Sequence, residues 1–260
     1  MSKPKNGLKS SLAQNDNIVV IKPYGVTNEF IDTEIEQKFQ ILGDERSDFL
    51  DEIINALLST GNFAVVEELE RFGWVFHFDY YGYFENGKPH QVFHTIHHES
   101  TPKYWIRKKL SRRQSSQNDS TVPLVRKEEL EAVDSAYLDK YIAPVVKEYR
   151  DSLGKEIILL GRVTRQKRYV FLQNKESRRI YNVSLDFCDF MNRHMSQLEV
   201  EYKWRDKKAV EGYGDLAHLL VEVDHLNDTL LSSKIGSLIA KTTLTKFDWM
   251  VEVLTGADSR

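Results

Sequence analysis

A single cysteine, Cys188, stands in 260 residues, which excludes an internal disulfide framework and fits a reducing compartment. It lies among aromatics in Leu185-Asp186-Phe187-Cys188-Asp189-Phe190, the setting of a buried structural thiol. No run approaches the ~18 apolar residues that a membrane-spanning helix needs. Met1-Ser2-Lys3-Pro4-Lys5-Asn6 has no apolar stretch of the kind that opens a secretion signal, so a cytoplasmic protein is expected. Neither charge sign dominates: 36 Lys and Arg against 39 Asp and Glu leave a formal charge of -3. Affinity for a polyanion must therefore come from bases gathered locally. There is no Gly-x-x-x-x-Gly-Lys-Ser/Thr sequence, which excludes a P-loop nucleotide site. No nucleophilic Ser or Cys motif and no repeat of solenoid length is present.

What the chain does have is one short pattern written twice. Glu34-Ile35-Glu36-Gln37-Lys38 and Glu199-Val200-Glu201-Tyr202-Lys203 both read Glu-x-Glu-x-Lys. On a β-strand, alternation sends both acids and the lysine to one face, with Ile35, Gln37, Val200 and Tyr202 on the other. Such a face makes poor core and a good lining for a polar cavity holding a divalent metal and a polyphosphate.

The remainder reads as one α+β domain over residues 18–260, preceded by a polar tail over 1–17. Apolar spacing predicts a helix over Arg46 to Ser59, capped by Ser47 and stopped at Gly61, and a shorter one from Val65 to Arg71. Aromatics from Trp74 to Phe84 favour a strand whose rings pack in the wall. Asn86-Gly87 marks a hairpin, and Gln91 to Ile96 is the return strand. Lys103 to Leu110 alternates, residues 111 to 121 read as a polar loop, and a helix over Asp134 to Leu153 should break near Pro144. Strands follow at Ile157 to Val163, Arg168 to Gln173, Ile180 to Phe187 and Leu198 to Trp204. Leu219 to Val223 is a short strand or a helix start, and the chain beyond Asp224 looks mainly helical. Helical insertions are expected over about residues 44–72 and 111–155.

A metal–triphosphate site needs carboxylates for Mg2+ or Mn2+, bases for the phosphate oxygens, and shielding from bulk water. Strand-borne bases are available at Lys38, Arg107, Lys109, Arg165, Lys167 and Lys203. Arg107 and Lys109 share one face by period two, as do Arg165 and Lys167. Only a sheet curved into a barrel brings such rows from distant strands to a common axis.

These segments resemble the CYTH, or triphosphate tunnel metalloenzyme, superfamily. Glu34-Ile35-Glu36-Gln37-Lys38 is similar to its N-terminal signature. Phe76-His77-Phe78-Asp79-Tyr80-Tyr81, Tyr104-Trp105-Ile106-Arg107, Arg126-Lys127-Glu128 and the segment from Val163 to Tyr169 follow in the family's order. Val183-Ser184-Leu185-Asp186 and Leu198-Glu199-Val200-Glu201 resemble its closing strands, and Ser233-Lys234 a pair near the domain's end. The resemblance implies an eight-stranded antiparallel β-barrel, open as a triphosphate tunnel and decorated with helices. It implies metal-binding carboxylates at Glu34, Glu36, Glu199 and Glu201, with Asp186 a further candidate. Phosphate contacts fall on Lys38, Arg107, Arg165 and Lys167, and also on Lys109, Arg126, Lys203 and Lys234. The chain departs from the pattern in its long helical segment after Lys38. It also lacks the His-Phe element that precedes the acid motif in many class IV adenylyl cyclases.

The expected activity is metal-dependent hydrolysis of inorganic tripolyphosphate or a nucleoside triphosphate, with Glu34, Glu36 or Glu201 orienting the attacking water. Two other readings keep the fold: a class IV-type adenylyl (nucleotidyl) cyclase, and a module that binds a triphosphate without turning it over. Neither a membrane nor nucleic acid is an expected partner. His94, His97, His98 and Glu99 suggest zinc only weakly, since His97 and His98 point to opposite faces of a strand, and a solvated strand end or loop is expected there.

Overall fold

The computed structural model describes residues 20–21, 26–27, 33–43, 49–66, 74–99, 103–113, 124–134, 138–206 and 216–256. The tail over 1–17 lies outside these. Eight long strands carry the architecture: β3 (Thr33–Ile41), β5 (Trp74–Glu85), β6 (Lys88–His98), β7 (Lys103–Arg113), β8 (Leu124–Asp134), β9 (Ile158–Asn174), β10 (Arg179–Phe190) and β11 (Arg193–Asp206). Their antiparallel pairings run β9–β10–β11–β3–β8–β7–β6–β5, and β5 pairs back onto β9, so the hydrogen-bonded path returns to its start. The expected eight-stranded antiparallel barrel is this circuit. Four short strands extend the wall: β1 (Val20–Ile21), β2 (Val26–Thr27), β4 (Phe63–Val66) and β12 (Ile239–Thr242). β12 pairs with β3 over Lys38 to Ile41, just past the stretch Thr33 to Glu36 that pairs with β8.

Small barrels usually fill their interior with apolar side chains. Here the largest apolar core lies outside the wall. Helix α1 (Phe49–Ser59) and helix α3 (Leu216–Ser232) lie over the outer face. Phe49, Leu50, Ile53, Ile54 and Leu57 of α1 and Leu219, Val223, Leu226 and Leu230 of α3 meet Ile35, Phe39, Val183, Leu185, Leu198, Val200 and Tyr202. Each fully buried Leu or Ile contributes about 1.5–3 kcal/mol, so this layer supplies much of the driving force for closing the wall. Helix α2 (Leu138–Leu153) covers a second outer patch, with Val145 and Tyr149 against Phe93, Ile106 and Val133.

Helix α4 (Lys246–Thr255) behaves differently. Thr245 caps it: its Oγ1 accepts from the Asp248 backbone N–H, while the Asp248 carboxylate accepts from the Thr245 N–H. Phe247, Trp249 and Met250 then pack against Phe78, Tyr80, Val163, Cys188, Phe190 and Met195 from four strands of the wall. This apolar plug closes one end of the barrel. Gly161 permits the close approach, because a Cβ there would meet Met250 Sδ at 2.7 Å.

Several expectations need correction. Val65 and Val66 lie in strand β4, not a helix; residues 67–73 lie outside the described residues. The 111–155 insertion is not wholly helical, since β7 runs on to Arg113 and β8 occupies Leu124–Asp134. Pro144 does not break α2, which continues through it. Pro144 is on the exposed side, where the carbonyl it leaves without an amide partner can meet water. The two strands at Ile157–Val163 and Arg168–Gln173 are one 17-residue strand, β9. Of the two readings for Leu219 to Val223 the helix holds, within α3, while β12 interrupts the expected helical C-terminal part. Among the described residues no helix is long and apolar enough to cross a membrane.

Candidate active site

Period two places the two acid motifs side by side. β11 pairs with β3 so that Glu201 lies opposite Glu36, and Glu199 opposite Lys38. The partner positions Ile35, Val200 and Tyr202 go outward into the helix-covered core, and this burial holds the register, since a one-residue slip would exchange the faces. Around the ring the same logic continues. Gln197 faces Asp186 on β10, Asp186 faces Lys167 on β9, and Arg165 on β9 faces Phe76 on β5. Tyr80 faces His94 on β6, which in turn faces Arg107 on β7.

These rows meet in one cavity of about 140 Å3 lined by Glu36, Lys38, His94, Arg107, Arg165, Lys167, Glu199, Glu201, Lys203 and Lys246, with Phe78, Tyr80, Thr245 and Phe247. At ~10–15 Å3 per water-sized position, that is room for about ten oxygens, the scale of one triphosphate chain. Six cations face four carboxylates once Asp186 is counted with the lining. The interior thus carries a formal positive excess inside a chain whose net charge is negative. Lys203, with its side chain 30 % exposed, is the wettest of the paired bases, whereas Lys38 is 4 % exposed.

The charges form a connected lattice. Lys38 Nζ donates to Glu36 Oε2 at 3.0 Å and also to Glu199 Oε1. Lys246 Nζ lies 2.7 Å from Glu199 Oε1 and 2.8 Å from Asp186 Oδ2, and Arg165 Nη1 donates to Asp186 Oδ2 at 3.0 Å. Lys203 pairs with Glu201. Burial alone would raise the Glu199 carboxyl, but Lys246, Lys38, Lys167 and Arg165 outweigh it and hold Glu199 well below the ordinary carboxylate range. Asp186 is lowered for the same reason, chiefly by Arg165 against its burial. At Lys167 burial prevails instead, lowering the ammonium more than Asp186 raises it. The Cys188 thiol, pushed up to about 12 by burial, is inert at neutral pH, as its aromatic setting predicts.

Among the described residues no three His, Cys, Asp or Glu side chains cluster as a self-sufficient metal site. Glu36 and Glu201, facing each other across adjacent strands, form a pair. Mg2+ commonly takes one or two carboxylates and completes its shell with phosphate oxygens and water, so this donor set fits a metal that arrives with its substrate.

Of the expected site residues, Glu36, Lys38, Arg107, Arg165, Lys167, Glu199, Glu201 and Lys203 come together here, with Asp186 beneath them. Lys234 does not: it is exposed on the turn between α3 and β12. Glu34 pairs in register with Arg126, and Lys109 with Glu128, but the side chains at 34, 109 and 126 lie outside the described residues. Lys246 was not foreseen, because it opens a helix and has no strand partner to reveal its direction. The expectation for the histidines fails at two positions, where His94 and His98 are buried in β6.

No protein-family profile matches the sequence, and no curated protein matches it. Solved structures of similar shape include these two. A candidate adenylate cyclase from Bacillus halodurans aligns with a TM-score of 0.38 at 12% identity, over 80% of this chain and 98% of that one. The Pct1 RNA triphosphatase of S. pombe aligns with a TM-score of 0.29 at 14% identity, over 76% of this chain and 77% of that one. The strand circuit, rather than either likeness, defines the fold.

Proposed function

We propose that this chain is a divalent-metal-dependent phosphohydrolase that cleaves a phosphoanhydride bond of inorganic tripolyphosphate or a nucleoside triphosphate held inside the barrel. The observation that carries the reading is the convergence of six bases and a facing carboxylate pair in one buried cavity. Lys38, Arg107, Arg165, Lys167, Lys203 and Lys246 hold the phosphate chain, Arg by bidentate forks and Lys as point charges. Glu36 and Glu201, with Glu34 as the sequence pattern suggests, hold Mg2+ or Mn2+, and one of them orients the attacking water. The metal, when bound, neutralises charge developing on phosphate oxygens. Asp186 and Glu199, also expected as metal ligands, each bridge two bases, Arg165 with Lys246 and Lys38 with Lys246. Their part in this proposal is to position those bases. Glu36 and Glu201, which accept from Lys38 and Lys203, would exchange those contacts for the metal. Such a site works by prearranged charge, which is what phosphoryl transfer demands.

The test is product analysis after incubating tripolyphosphate or ATP with Mg2+ or Mn2+. Orthophosphate release that disappears in Glu36→Gln supports hydrolysis. Cyclic nucleotide plus pyrophosphate would assign a cyclase instead, and tight binding with no product would assign a sensor module.

A further inference from the structure

We propose that His94 is a substrate-contacting residue, presenting its Nε2–H as a hydrogen-bond donor to a phosphate oxygen of the bound chain. This inference rests on the triphosphate reading above. His94 is only 3 % exposed, and it lines the same cavity as Arg107, Arg165 and Lys246. Its ring is held between neighbours on β5, with centroids 5.4 Å from Tyr80 and 5.9 Å from Phe78.

The tautomer follows from one contact. Gln91 Nε2 lies 2.8 Å from His94 Nδ1. With the Gln91 amide in this orientation its nitrogen donates, Nδ1 accepts, and the proton of a neutral ring sits on Nε2. Simple alternation would not bring these two side chains together, because residues three apart on a regular strand point to opposite faces. The β5–β6 register shifts between Tyr81, paired with Phe93, and Gly82, paired with Gln91, leaving Val92 as the extra residue of a bulge. Val92 and Phe93 both pack in the outer cluster under α2, and Gln91 swings to the side of His94. Bulges re-aim side chains in this way, and here the effect is to fix a histidine tautomer. Gly82 is what allows the bulge, since a Cβ there would meet His90 O at 1.8 Å.

Among the described residues, ionisable groups that line the cavity with His94 include Arg107 on β7, Tyr80 on β5, Arg165 on β9 and Lys246 on α4. A neutral, fixed N–H among cations adds direction to phosphate binding without adding to their mutual repulsion.

Two measurements test this. Calorimetric titration with tripolyphosphate compares the wild type with His94→Phe and His94→Gln. Long-range 1H–15N spectra of histidine-labelled protein, with the His94 signals assigned by their loss in His94→Gln, report the tautomer and its response. The expectation is an Nε2–H tautomer whose Nε2 signal moves on adding tripolyphosphate. His94→Phe should weaken binding about tenfold, with His94→Gln retaining most of the affinity because its amide can still donate. If His94→Phe fails to fold, the wild-type spectra decide alone. If tripolyphosphate binds but the His94 signals stay still, or the proton is on Nδ1, the inference is overturned and the triphosphate reading survives. If the wild type does not bind tripolyphosphate at all, both fall together.

Discussion

The two faces of one barrel wall obey opposite rules. Outward, Ile35, Phe39, Val183, Leu198 and Val200 pack against α1 and α3 as ordinary core. Inward, on the same strands, Glu36, Lys38, Asp186, Glu199 and Glu201 are buried as ions. Apolar burial outside stabilises the fold, and that stability holds together an interior that costs free energy to desolvate. Residues one position apart on a single strand should therefore divide cleanly into those that matter for folding and those that matter for phosphate.

The sharpest way to break this division is at Glu36. Glu36→Gln should lower phosphate release from tripolyphosphate by about 10²–10³-fold while leaving the melting temperature close to wild type. Steady-state rates and a thermal melt of the same preparation check both halves. Across the wall, Leu226→Ala in α3 should do the reverse, destabilising by about 3 kcal/mol in urea unfolding while the folded fraction turns over at the wild-type rate. Gly161→Ala probes the plug, where the wall meets α4. The added methyl must displace Met250, costing about 1–3 kcal/mol of stability and perturbing Lys246 through the helix it begins. A further effect should appear in acid. Glu199 and Asp186 have folded values below the ordinary 4.5 and 3.8, so their contribution is complete above those values and is lost as pH falls through the lowered ones. Melting temperature against pH should drop less steeply for Glu199→Gln than for wild type.

Sequence pattern carried the inner face further than the architecture around it. Alternation alone sorted Glu36 and Lys38 from Ile35, and Glu201 from Tyr202, because period two holds wherever a strand is regular. It could not see Lys246, which enters the cavity from a helix start marked only by Thr245-x-x-Asp248. Nor could it foresee Gln91 beside His94, since a bulge is defined by the partner strand. β8 was hidden because Arg126-Lys127-Glu128-Glu129 is charged in a way that resembles a solvated helix. It is a strand because β3 and β7 supply both its edges. Val65 and Val66 were misread for a related reason: β4 is four residues long, too short to show alternation, and its pairing with β1 and β9 is what defines it.

The most direct test of the whole account is isothermal titration of tripolyphosphate into the wild type and Lys167→Met, each with and without Mg2+. One saturable site per chain is predicted, strengthened by the metal and weakened at least about tenfold in the variant, whose melting temperature should not fall, because removing a buried charge relieves a desolvation cost. Absence of binding to the wild type, or equal binding by both proteins, would contradict a phosphate-holding interior.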